Sequence, residues 1–340
     1  MDRGCAGITA YAADSGVRSY NMKEIGGYFG LESLVRNLYY PDLIPVNTAR
    51  YALVYILRAK QIRKIWLPYF LCESVRLACE KEGVEIGMYH IDAQMHPIWS
   101  ELPAREELGA DEYLYIVNYY GQIGAETAAE MQRTHGNMIL DNVQAFFQRP
   151  VPGMDTVYSC RKFFGVPDGG YAATDARLNP APEQDVSSGR LAHLLGRFEH
   201  GSASMFYAQF KENDHAFLEQ DLRMMSVLTE NLLGAVDYEA VRSRREANFE
   251  ILANTLGAQN PLPVHKPDGP YSYPFYCENG MALKKRLAAC GIYVPTLWPN
   301  VLDMEGTREK DYAENILPLP CDQRYGEAEM NRIIEEIHNG

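Results

Sequence analysis

The sequence contains no stretch approaching 18 uncharged apolar residues, no CxxC pair, no HExxH or HxxxH spacing and no low-complexity tract. The first absence argues against a membrane-spanning helix. The second and third leave no metal-ligand pattern, so no metal is expected. The opening residues, MDRGCAGITAYAADSG, hold no apolar core of the length a secretory signal needs. The seven cysteines (5, 72, 79, 160, 277, 290 and 321) are odd in number and scattered, which suits a reduced cytoplasm better than a disulfide framework. Positive charge is also scarce, with Lys+Arg 32 against Asp+Glu 45 and a formal charge of -13. A general grip on a nucleic-acid backbone is therefore disfavoured, and any anion has to be bound locally.

What is present is the composition of a soluble globular chain long enough for a large domain and a smaller one: 340 residues, 46% apolar, 23% charged. Short apolar or β-branched runs (IWLP at 65, EIGMYHI at 85, YLYIVNYYG at 113, NMILDN at 137, TVYSC at 156, GGYAAT at 169) alternate with helical patterns, which reads as α/β. The clearest helix is NTARYALVYILRA, with Ala49, Ala52, Leu53, Ile56 and Leu57 on one stripe and Asn47 as the expected N-cap. From about 187 to 258 the period is mostly helical, RMMSVLTENLLGAV included. The boundary is placed near 235, giving a large α/β domain over 1–235 and a small α+β domain over 236–340.

Ligands in open α/β sheets bind beyond the carboxyl ends of strands, so the residues that close the predicted strands carry the functional reading. Asp141 closes NMILD, where a carboxylate needs a positive partner or a hydrogen-bonded turn. A pyridinium N–H is one such partner, and a helix cap or Asx turn is the other reading. Gln144 follows at three residues and points either to a ligand or to a loop. Lys162 lies in DTVYSCRKFFGVPDGG, with Ser159 before it and Gly169 and Gly170 after it. Taken alone it fits a solvated surface lysine; with hydroxyls and glycines nearby it fits an amine that holds a carbonyl cofactor. Thr48 and Ala49 open a helix, where free backbone N–H groups suit a phosphate, though many helices begin this way and bind nothing.

In order and spacing, NTARYAL, IWLPYFLCESV, VNYYGQIG, ILDNVQAFF, SCRKFFGVPDGG, RMMSVLTENLLGAV, SRREAN, AACGIYVPTLWP and LPLPCDQRY resemble the sugar-aminotransferase (DegT/StrS) family of fold-type I enzymes that use pyridoxal 5'-phosphate (PLP). The resemblance implies a fold-type I PLP-transferase: a mainly parallel central sheet flanked by helices, with a smaller C-terminal α+β domain. It implies that Lys162 carries the Schiff base and shuttles the proton. It further implies that Asp141 holds the pyridine nitrogen, that Gln144 fills the His/Gln position of D-x-A-[HQ], and that Ser159, Thr48 and Ala49 bind the phosphate. A homodimer is also implied, with RMMSVLTENLLGAV as a candidate contact helix.

Three positions and one spacing depart from the family pattern, the spacing being that of Ser159, which precedes Lys162 by three residues, tighter than in many sugar aminotransferases and closer to the S-x-x-K of other fold-type I enzymes. Cys72 stands where an aromatic residue usually covers the ring, with Tyr69 and Phe70 close by. Asp221 stands where many members have an asparagine that reaches the neighbouring subunit's phosphate, and Asn118 replaces a usual histidine. The resemblance implies transfer of an amino group from a donor such as glutamate to a keto-sugar, free or nucleotide-linked. The rivals are elimination, dehydration or decarboxylation on the same cofactor, and a PLP-fold binding or regulatory protein without turnover.

Overall fold

Parallel strands buried on both faces need apolar runs rather than alternation, and MILD and DTVYS, buried along their whole length, are such runs. The computed structural model of the chain describes residues 25–34 and 36–339; Cys5 and the whole opening stretch read for a signal lie outside them. Residues 25–33 belong to a unit of their own and run as bends and coil, with Ile25, Tyr28 and Phe29 exposed. The second unit spans residues 34–340.

That unit begins with β1 (Ile44–Val46), α1 (Ala49–Lys60), β2 (Lys64–Pro68), α2 (Glu73–Lys81), β3 (Glu85–Tyr89), β4 (Glu112–Val117) and α3 (Ala125–His135). Then come β5 (Met138–Asp141), β6 (Asp155–Ser159), β7 (Gly170–Ala173), α4 (Ala192–His200), α5 (Tyr207–Glu219), α6 (Val227–Leu233) and α7 (Tyr238–Leu256). It closes with β8 (Ser272–Tyr276), α8 (Gly280–Ala289), α9 (Arg308–Asn315), β9 (Ile316–Pro320) and α10 (Glu327–His338). The seven-stranded sheet has the order β1-β7-β6-β5-β4-β2-β3. Strands β3, β2, β4, β5 and β6 are parallel; β7 and β1 are antiparallel to their neighbours. The chain steps outward from β2 to β3, then returns across β2 to β4. That reversal opens a crevice at the carboxyl ends of the central strands. A second, antiparallel pair, β8 and β9, packs with α7, α8 and α10 through Phe249, Leu252, Leu287, Leu319 and Met330.

The mainly parallel sheet with a smaller antiparallel sheet is the expected architecture, and all six strand-like runs of the first half are strands. Two details differ from expectation. Thr48, rather than Asn47, caps α1, accepting from the Tyr51 N–H at 3.4 Å. Asn47 is drawn off to the 221–223 segment, where its Nδ2 donates to Asp221 O (3.2 Å) and its Oδ1 accepts from Arg223 N–H (3.3 Å). RMMSVLTENLLGAV is helical only from Val227. Before it, Met224 bridges Val46 and Gln184 in extended form, held by the sheet edge rather than by helical propensity. Met225, Thr229 and Leu233 of that stretch are buried in the chain's own core, and Val227 is exposed.

Candidate active site

Strand register assembles the carboxyl edge of the sheet. Val46, Gly170 and Ser159 lie side by side across β1, β7 and β6, and Asp141 of β5 lies beside Val157 of β6. Thr48 and Ala49 follow Val46 closely. Lys162 sits in the tight turn after Ser159, where the N–H groups of Phe163 and Phe164 both donate to Cys160 O, at 3.0 and 2.9 Å. The glycine pair ties these ends together: Gly169 N–H donates to Asn47 O (2.6 Å) and Cys160 N–H donates to Gly169 O (3.1 Å).

Asp168 anchors this turn from behind. It is fully buried, accepting from Ser226 N–H (2.8 Å), Ser226 Oγ (2.7 Å) and Thr229 Oγ1. Three donors offset much of the cost of burying its charge.

Gly170 is where the sheet meets α1. A Cβ there would stand 2.6 Å from both Ala49 N and Thr48 C, and 2.8 Å from Tyr158 O. All three are backbone atoms and cannot swing aside. Gly170→Ala is therefore expected to cost about 1–3 kcal/mol of stability and to weaken anion binding at the start of α1. Denaturant melts, alone and with inorganic phosphate, check both effects.

The start of α1 has donors to spare, since first-turn amides lack intrahelical acceptors and the helix dipole favours an anion there. No acidic residue lies in that turn. The Asp221 carboxylate is held elsewhere: its Oδ1 accepts from Arg58 Nη2 at 2.9 Å. Arg58 thereby offsets the charge of Asp221, whose backbone lies beside Asn47 at the start of α1.

Asp141 is buried. Its Oδ2 accepts from Tyr115 O–H at 2.8 Å and its Oδ1 from Val143 N–H at 2.9 Å. Burial pushes its pKa above the usual carboxylate range, against the opposing pull of the Lys162 ammonium and these two donors. The two residues singled out at opposite ends of the motif thus feel each other's charge. Lys162 itself is exposed, its Nζ 5.6 Å from the centroid of the Tyr271 ring.

Gln144, also buried, accepts from Tyr120 N–H through Oε1 at 2.7 Å. Its buried Nε2 has no hydrogen-bond partner among the described residues. A buried amide donor left open is costly and stands ready for an acceptor. Tyr120, which Gln144 holds, has φ of 55°, a strained backbone at the crevice.

Cys72 caps α2 and is exposed, its Sγ 3.1 Å from Ser74 Oγ. Phe70 is core: its ring meets Trp298 at 4.3 Å and Tyr119 at 5.3 Å. Tyr69 meets the His90 ring at 4.5 Å. Asn118 spends its amide on the protein, bonding Ile123, Asn142 and Gln148 at 2.7–3.0 Å, and shapes the loop after β4. The six described cysteines are unpaired, no His/Cys/Asp/Glu cluster among the described residues has metal-ligand geometry, and no described helix is long and apolar enough to cross a membrane. Sequence reasoning did not single out Tyr115, Tyr271, Arg245 or Gln323, all of which contact this edge or its supports. Only Tyr115 had a local signal, two residues before the end of β4.

No protein-family model matches the chain and no curated protein matches it in sequence. Among solved structures the fold is shared over nearly the whole chain. Spr1654 of Streptococcus pneumoniae, in its PMP form, superposes with a TM-score of 0.62 at 17% identity, covering 88% of this chain and 87% of its own. The sugar aminotransferase CalS13 of Micromonospora echinospora gives 0.59 at 14% identity, over 88% and 87%. A DegT DnrJ EryC1 StrS aminotransferase of Brucella abortus gives 0.54 at 18% identity, over 87% and 85%. At these identities the likeness establishes the fold, which is that of fold-type I aminotransferases.

Proposed function

We propose that the chain is a PLP-dependent aminotransferase that passes an amino group from a donor such as glutamate to a keto-sugar. The observation that carries this reading is the placement of Lys162, in the turn after Ser159, close enough to buried Asp141 for their charges to interact at the carboxyl edge of a fold-type I sheet, with no acidic residue in the first turn of α1. Fold neighbours include a protein solved in a PMP form and a sugar aminotransferase, which supports the cofactor and the acceptor class.

The residues present fit pyridoxal 5'-phosphate. Asp141 offers a buried carboxylate to a ring N–H, Gln144 Nε2 offers an unused donor, and α1 offers a first turn without acidic residues. When bound, the cofactor supplies a protonated ring that accepts the electron pair left at the substrate carbon. Lys162 Nζ is assigned the covalent hold on the cofactor's aldehyde carbon and the movement of the substrate's proton. Asp141 keeps the ring nitrogen protonated. Thr48 Oγ1, Ala49 N–H and Ser159 Oγ are assigned to the phosphate. The same reading makes the protein a cytoplasmic homodimer, divided into a cofactor-binding domain over 1–235 and a small domain over 236–340.

An absorption spectrum of the purified protein with PLP tests the reaction class. Glutamate is expected to shift the visible band while one equivalent of 2-oxoglutarate is released. A visible band indifferent to every amino donor overturns transamination and favours a binding protein. A response without 2-oxoglutarate release favours elimination or decarboxylation.

A further inference from the structure

Arg245 lies in the middle of α7 with 1% of its surface exposed. Its hydrogen bonds go to carbonyl oxygens: Nη1 donates to Pro270 O at 2.9 Å and Nη2 to Phe163 O at 3.3 Å. The guanidinium carbon sits 4.5 Å from the Phe163 ring centroid. The nearby carboxylate of Asp322 is instead gripped at both oxygens by Arg324, at 2.7 Å each. Burying a guanidinium without an ion-pair partner is costly, and apolar packing alone is served better by Leu or Met.

The two carbonyls show what that cost secures. Phe163 follows Lys162 and Pro270 precedes Tyr271, and these are the residues whose side chains meet, amine to ring, at 5.6 Å. One guanidinium thereby ties together the backbones that carry both partners. Phe163 O also accepts from Gln323 Nε2 at 2.7 Å, so two donors from opposite ends of the small-sheet region fix the residue next to the lysine. Arg245 and Gln323 lie 82 and 160 residues from Phe163 in sequence. This geometry is not a by-product of local turn formation.

We infer that Arg245 and Gln323 are positioning residues that clamp the Phe163 carbonyl and so set the approach of the Lys162 amine to a carbonyl ligand beside Tyr271. The inference rests on Lys162 being the amine that takes the cofactor.

The test is the rate and pH midpoint at which the cofactor-free full chain captures PLP on Lys162, trapped with borohydride and located by mass spectrometry. Gln323→Leu and Arg245→Lys are each expected to slow capture about 10-fold, since a misplacement of about 1 Å in a reacting group can cost up to about 100-fold. Each is also expected to move the pH midpoint by roughly half a unit or more, and Arg245→Lys, which keeps one donor cation, changes less than Arg245→Met. A purely structural role would lower the melting temperature and leave midpoint and rate at wild-type values, which overturns the clamp. If the Arg245 variants do not fold, Gln323→Leu, at a partly exposed position, decides alone. A wild-type chain that forms no adduct at Lys162 overturns the cofactor assignment and the clamp together. A wild-type adduct with unchanged variants overturns only the clamp.

Discussion

Lys162→Ala is expected to abolish the half-reaction with glutamate, by at least about 10³-fold, while leaving the fold in place. Proton transfer by one positioned side chain is worth roughly 10²–10⁴ in rate, and the covalent hold on the cofactor is lost in addition. Stability should change by less than about 0.5 kcal/mol, because the side chain is exposed and its noted contact is a ring 5.6 Å away. Single-turnover spectra with glutamate, paired with a thermal melt of the cofactor-free protein, separate the two effects. A variant that still gave a borohydride-stable adduct and a normal glutamate response would place the reactive amine elsewhere.

How much of this was legible beforehand depended on whether the signal was local. MILD and DTVYS are apolar runs bounded by turn residues, so the central strands and the site residues that close them, Asp141 and Ser159, could be read directly. Strand β1, only three residues long with Pro45 in it, carries no periodicity and exists because β7 and Met224 pair with it. The shift of the α1 cap from Asn47 to Thr48 has the same origin. Either residue can cap a helix, and the choice was made by a segment some 175 positions away. RMMS looked helical because its apolar residues suit several periods, and the sheet edge claimed it. The supports of the site were the least visible. Nothing near Arg245 in SRREAN reveals that its donors reach Pro270 and Phe163, and Gln323 is one polar residue in a loop.

Asp141→Asn should separate cofactor binding from folding in a way few site substitutions do. In the cofactor-free chain the folded-state pKa of Asp141 is raised above the ordinary value of 3.8 by burial. The folded state therefore holds this proton more tightly than the unfolded chain does. The group's contribution to stability falls as pH rises from about 4 through the raised folded value, so its cost grows toward neutral pH. Asparagine carries no such cost and can still accept from Val143 N–H through its amide oxygen, so the cofactor-free variant should melt at or above the wild type at pH 7. That advantage should disappear below about pH 4, where both side chains are neutral. With PLP the order reverses, because the carboxylate then faces a ring N–H cation. Removing one partner of a buried charged pair costs about 3–5 kcal/mol, which predicts at least about 100-fold weaker binding at roughly 1.4 kcal/mol per decade. Melting curves at pH 4 and 7, with and without cofactor, show all four values. A variant less stable than wild type without cofactor but equally stabilised by it would mean that Asp141 is a turn-forming aspartate and that the ring nitrogen finds its partner elsewhere.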